Sequence, residues 1–142
     1  MGQIVLNLGT SGNDGTGTPL REAGDAINDM TGELYSQFGL MPPNPQTGTS
    51  YTFALDDLGT CTTLDNASPI AATIPAHADV AFPVGAIIAA AGIGAGAVTV
   101  TGDTGVTVNG SSGGSVVLDG SMRPAAFWQY DTDAWMAFGR FA

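Results

Sequence analysis

The chain begins with an apolar run, Ile4, Val5, Leu6 and Leu8, which stops at Gly9 and gives way to Gly, Thr, Ser, Asn and Asp as far as Gly17. An apolar segment set apart by so many turn formers predicts an exposed arm followed by a loop. Thr18-Pro19 predicts a helix start, because threonine can cap free backbone amides and proline at the first helical position has no amide to leave unsatisfied. The helix is expected to run to about Phe38 and to stop at Gly39, with Pro42, Pro43 and Pro45 preventing continuation. Within it Leu20, Ala23, Ile27, Met30 and Leu34 recur at coiled-coil spacing and fall on one narrow stripe. That stripe predicts either a seam between copies of the chain or an amphipathic helix lying on its own domain.

Beyond Met41-Pro42-Pro43-Asn44-Pro45, which reads as a linker, strand-like segments alternate with turn signals. They are Tyr51 to Leu55, Thr60 to Leu64, Ile70 to Ile74, Ala86 to Ala90, Ala97 to Thr101, Val106 to Asn109, Ser115 to Asp119, Ala125 to Tyr130 and Ala134 to Phe138. Gly92 to Gly96, Gly102 to Gly105 and Asp131 to Asp133 are the clearest turns. The expected fold is mainly β: an arm and one short helix, then a β-sandwich or jelly-roll-like domain. The corresponding divisions are 1–17 for the arm and loop, 18–39 for the helix, 40–48 for the proline-rich linker and 49–142 for the β-domain.

Composition narrows the function. With 142 residues the chain has room for one modest core. Its formal charge of −10 arises from 13 acidic residues against Arg21, Arg123 and Arg140, with no lysine. Nucleic acid is bound by clustered Lys and Arg, so such partners are not expected, and the same deficit argues against anionic membranes. The uncharged stretch from Val80 to Gly102 is interrupted by Pro83, Gly85, Gly92, Gly94 and Gly96 and ends in the strand-like Val98-Thr99-Val100-Thr101, so it does not read as a membrane span. Met1-Gly-Gln-Ile-Val-Leu-Asn lacks the basic start and long apolar core of a secretory signal.

Few residues offer chemistry. His77 is the only histidine and Cys61 the only cysteine, so neither a multi-residue zinc site nor an intrachain disulfide can be built from them. Cys61 reads as a small buried apolar residue. Asp56-Asp57 and Asp131-Thr132-Asp133 bring carboxylates together as a glycosidase would, yet they stand at a strand end and a turn, where Asp is common for backbone reasons. No metal, cofactor or catalytic residue is expected. Phe127, Trp128, Tyr130, Trp135, Phe138 and Phe141 cluster around the last turn, and of these Trp128, Tyr130 and Trp135 are candidate ligand-facing aromatics. The competing reading places about half of the cluster in the core and the rest in a subunit contact.

The segment Asn7-Leu-Gly9-Thr10 … Asn13-Asp14-Gly15-Thr16-Gly17 … Pro19-Leu20-Arg21 … Ala23 … Ile27-Asn28 … Glu33-Leu34-Tyr35 resembles an N-terminal segment of many tailed-phage virion proteins. The later residues Asp57-Leu-Gly59, Phe82-Pro83-Val84-Gly85, Val98-Thr99-Val100, Gly105-Val106-Thr107-Val108-Asn109, Asp131, Trp135 and Gly139 resemble a β-domain of phage head-fibre and tail-fibre proteins. The resemblance implies a non-enzymatic homotrimeric virion component, made in the host bacterial cytoplasm and held on the particle by its N-terminal part. A helix of about 20 residues spans only about 30 Å, which favours a decoration protein on the head, bound to the major capsid protein, over a short tail-fibre or tail-tip subunit that binds a host glycan receptor. In this reading Ile4, Val5, Leu6 and Leu8 anchor the chain by adding a strand to a capsid edge, and Leu20, Ala23, Ile27, Met30 and Leu34 form the trimer seam.

Overall fold

The structure, a computed structural model, describes residues 15, 20–37, 40–118 and 122–142, the side chains of 20, 21, 32–37 and 123 excepted. The chain divides into two compact units, Met1–Leu40 and Met41–Ala142. In the first, helix α1 spans Leu20–Gln37, matching the expected helix within two residues at either end. Thr31 donates its hydroxyl to the Ile27 carbonyl (2.7 Å), returning a polar side chain to its own helix.

The second unit is mainly β, with two sheets and the core between them, consistent with a β-sandwich. Its strands are β1 Pro43–Gln46, β2 Ser50–Thr52, β3 Cys61–Leu64, β4 Ile70–Ile74, β5 Ile87–Gly92, β6 Val98–Gly102, β7 Thr107–Val108, β8 Ser111–Ser112, β9 Ser115–Val117, β10 Arg123–Asp131 and β11 Ala134–Gly139. Every expected strand segment overlaps one of these. The strand expected over Tyr51 to Leu55 stops at Thr52, and a single 3-10 turn, Leu55–Asp57, follows.

One sheet runs β1-β3-β5-β10-β11-β7-β8 and the other β2-β4-β6-β9. From β1 to β6 the chain therefore crosses from sheet to sheet at every strand, laying down three successive coils. Neighbours produced this way are parallel: β1 with β3, β3 with β5, β2 with β4, and β4 with β6. This departs from the antiparallel Greek keys of a jelly roll. Parallel strands need a long crossover, and here the opposite sheet supplies it. After β6 the direction reverses, with β9 antiparallel to β6, β10 antiparallel to β5 and β11 antiparallel to β10.

The segment read as a linker carries β1, which corrects that expectation. The Pro42 carbonyl accepts from Cys61 N (2.9 Å) and the Gln46 carbonyl from Asp65 N (2.8 Å). Backbone groups alternate along a strand, so the nitrogens of Pro43 and Pro45 turn to the open edge, where a missing N–H costs no ladder bond and blocks pairing with another strand.

Inward positions alternate with outward ones, except on β5, where the outward Ala89 and Ala91 are buried too. Leu64, Ile88 and Phe127 from one sheet meet Ile70, Ile74, Val98 and Val100 from the other, each contributing about 1.5–3 kcal/mol by leaving water. Trp135 and Phe82 close one end edge-to-face, with ring centroids 5.5 Å apart. Gln129 is also buried; with its amide turned as its neighbours require, the nitrogen donates to the carbonyls of Phe82 and Pro83 (3.2 Å each), tying the loop before β5 to β10.

A polar knot joins the first two coils. Asp57, wholly buried, accepts from Asn44 Nδ2 (2.7 Å), Tyr51 OH (2.9 Å), Thr62 Oγ1 (2.9 Å) and Ala54 N (2.8 Å). Burial, reinforced by the hydrogen bond and charge of Asp57, pushes the Tyr51 phenol up to about 12 from its ordinary 10.0. The folded state thus holds this proton more tightly than the unfolded state. The stability it brings is whole below pH 10 and is lost as pH rises through 12. Denaturant titrations at pH 9 and pH 11.5 are expected to show an alkaline loss that shrinks in Tyr51→Phe, and no lysine titrates in that window to mask it.

Candidate functional site

Strands with one buried face alternate apolar and polar residues, and the four-stranded sheet obeys this on its outer side. Ser50, Ala71, Thr99 and Val117 form one outward row, and Thr52, Thr73, Thr101 and Ser115 the next. Hydroxyls fill the second row and half of the first, where Ala71 and Val117 are the apolar exceptions.

The outer side of the seven-stranded sheet is different. Register places Pro43, Cys61, Ala89, Ala126 and Phe138 in one row across β1, β3, β5, β10 and β11. Ile87, Trp128 and Met136 form a second row, and Pro45, Thr63, Ala91 and Pro124 a third. Ile87 is 52% exposed, Phe138 50%, Met136 41% and Trp128 37%. Tyr130, at the register shift between Gln129 and Asp131, extends the face, its ring centroid 6.2 Å from that of Trp128. None of these positions is charged. The described acidic residues of this unit, Asp56, Asp57, Asp65, Asp79, Asp103, Asp131 and Asp133, stand at turns and strand ends. Apolar residues on both parities of β10 and β11 are the pattern of strands covered on both sides, yet one side of this sheet is open.

The candidate aromatics therefore separate. Trp128 and Tyr130 lie on the open face, but Trp135 is 1% exposed and packed on Phe82, so it is a core residue and is withdrawn as ligand-facing. Its parity is fixed by the pairing of Gln129 with Trp135, both pointing inward. Ile87, Met136 and Phe138 belong to the face and were not singled out as site residues. Cys61 is half-buried there rather than in the core, and burial raises its thiol pKa. On α1, Ile27 is 52% exposed and Met30 39%, with Ala23 half-buried. Leu20 and Leu34 fall within the helix, but their side chains, like the whole of Ile4, Val5, Leu6 and Leu8, lie outside the described residues.

The carboxylate pairs are occupied by backbone and core. Asp57 is saturated by the knot. Asp131 Oδ1 accepts from Thr132 N (2.8 Å) and Asp133 Oδ1 from the exposed His77's backbone N (2.6 Å). The Asp133 carbonyl also accepts from Thr107 N (2.7 Å), binding β7 to the hairpin. A cavity of about 270 Å³ beside β9 is lined by Gly94, Ala95, Gly96, Ala97, Val117, Leu118 and Ala142, none with an ionisable side chain. Among the described residues there is no cluster of three or more metal-ligating side chains, and no helix is long and apolar enough to cross a membrane. No protein-family model, curated protein or solved structure matches the chain.

Proposed function

We propose that this chain is a structural component of a tailed-phage virion, a homotrimeric decoration protein displayed on the head. The observation that carries this reading is the uncharged apolar face of the seven-stranded sheet, in a chain of net charge −10. A contiguous apolar patch on an otherwise acidic surface is what an assembling subunit presents. The exposed Ile27 and Met30 on α1 add a second apolar stripe of the same meaning, and the sequence resemblance supplies the virion setting and the choice of three copies. Residues Ile4, Val5, Leu6 and Leu8 anchor the trimer to the major capsid protein by strand addition.

Deletion of residues 2–8 tests the assignment. The truncated chain is expected to keep the far-ultraviolet spectrum and melting temperature of the full chain while losing binding to emptied heads in a co-sedimentation assay by more than about tenfold, because three weak arms bind with avidity. Undiminished binding would overturn the anchor. A second reading, a short tail-fibre or tail-tip subunit whose β-domain binds a host glycan, is favoured by the exposed Trp128–Tyr130 pair.

A further inference from the structure

We infer that the outer face of the seven-stranded sheet is packed against the same face of neighbouring copies of this chain. The inference deepens the proposed homotrimer and rests on it for the number of copies, but the contact itself is argued from the two sheets.

The four-stranded sheet serves as an internal comparison. Both sheets enclose the same core and sit in the same chain, yet the outward positions of one are mostly Ser and Thr, with Ala71 and Val117 among them, and the other shows Ile87, Trp128, Met136 and Phe138. A preference for β-branched or aromatic residues in strands cannot explain the contrast, since threonine satisfies it equally well. What differs is the medium each face meets.

Charge then identifies the occupant. Two chains of −10 approaching through any loop-rich surface bring like charges together, because the described acidic residues of this unit stand at turns and strand ends. The neutral face is the approach that avoids this repulsion. It offers no charged group with which a heterologous partner could be selected, whereas a self-contact between symmetric copies needs only an uncharged, mutually apolar surface. Five strands about 4.8 Å apart, crossed by some 20 Å of β10, give on the order of 400 Å² in projection, about half of the roughly 800 Å² per partner of a standard interface, so the face forms one part of the contact between copies. Assembly along the β1 edge is blocked by Pro43 and Pro45, so face-to-face packing is the mode left on that side of the sheet.

Cys61 lies within the face, and as the only cysteine it reports on it directly. The experiment uses the full chain at micromolar concentration, with mass from light scattering and the rate of Cys61 labelling by a maleimide. Trp128→Glu and Phe138→Glu, two strands and three strands away from β3, are compared with Thr99→Glu on the other sheet, and circular dichroism checks folding. Wild type and Thr99→Glu are expected to be multimers with protected Cys61. The two face variants are expected to remain folded and to label at least about tenfold faster, with the multimer weakened or lost. A two-chain wild type with a protected cysteine would uphold this contact and overturn the trimer. A trimer whose Cys61 labels equally fast in wild type and face variants would overturn the contact and leave the α1 seam standing. A monomeric wild type would overturn both, as would glycan capture through an open Trp128 for the face contact.

Discussion

Asp57→Ala is expected to lower the stability of the β unit by about 3–5 kcal/mol, the cost of taking the shared acceptor away from several buried donors. The carboxylate is fully buried and every group around it is a donor: Asn44 Nδ2, the Tyr51 and Thr62 hydroxyls and the Ala54 amide. Alanine leaves these donors facing a cavity, and each unsatisfied buried group costs about 1–3 kcal/mol. The four come from β1, β2, the residue that precedes the 3-10 turn and β3, so loss of the carboxylate loosens the first coil from the second. For a domain of this size the melting temperature should fall by roughly 10–20 °C. Asp57→Asn keeps the volume and both hydrogen-bonding ends. It should lose less than half as much, because the two hydroxyls can rotate to accept from the new amide while the Ala54 amide keeps its oxygen. If Asp57→Ala melts like the wild type, the knot carries no stability and the arrangement of β1 against β3 is wrong.

None of that knot is visible in the sequence. Asp57 follows a strand-like segment and looks like any turn aspartate; its partners at 44, 51, 54 and 62 meet only because the chain changes sheet between them. Local signals did locate α1, whose bounds follow from Thr18-Pro19 and Gly39, and every strand with two or more β-branched or aromatic residues. They hid β1, because Pro-Asn-Pro-Gln has the composition of a linker and becomes a strand only at an edge where proline's missing amide goes unused. The open face was half legible. Phe127-Trp128 and Trp135-Met136 are apolar on both parities, so alternation could not say which aromatic points inward; the register of β10 against β5 and β11 decides it, burying Phe127 and Trp135 and exposing Trp128. The anchor residues 4–8 rest on sequence pattern alone.

Gly96→Ala is expected to be as damaging as Asp57→Ala, for a purely steric reason. The turn from β5 to β6 lies on the turn from β3 to β4: Gly96 N donates to the Asn66 carbonyl (2.8 Å), Ile93 N to the Leu64 carbonyl (2.9 Å), and Ile70 N to the Ala97 carbonyl (2.8 Å). A Cβ on Gly96 would fall on the Ser68 carbonyl and within 2.9 Å of the Asn66 oxygen. One on Gly94 would meet the Asn66 backbone and come within 2.9 Å of Asp65 Oδ1. These obstacles are mostly backbone, so relief requires the two turns to separate and the three hydrogen bonds to break together. At about 1 kcal/mol each, plus strain where the turns stay packed, the loss is about 3 kcal/mol or more. Gly105→Ala is the informative control. Its φ of +87 is strained for alanine, yet nothing lies within 4 Å of the added methyl, so it should lose only about 1–2 kcal/mol. Urea denaturation of both variants separates steric from conformational cost, and a Gly96→Ala protein no less stable than Gly105→Ala would show that successive coils are not stacked turn on turn.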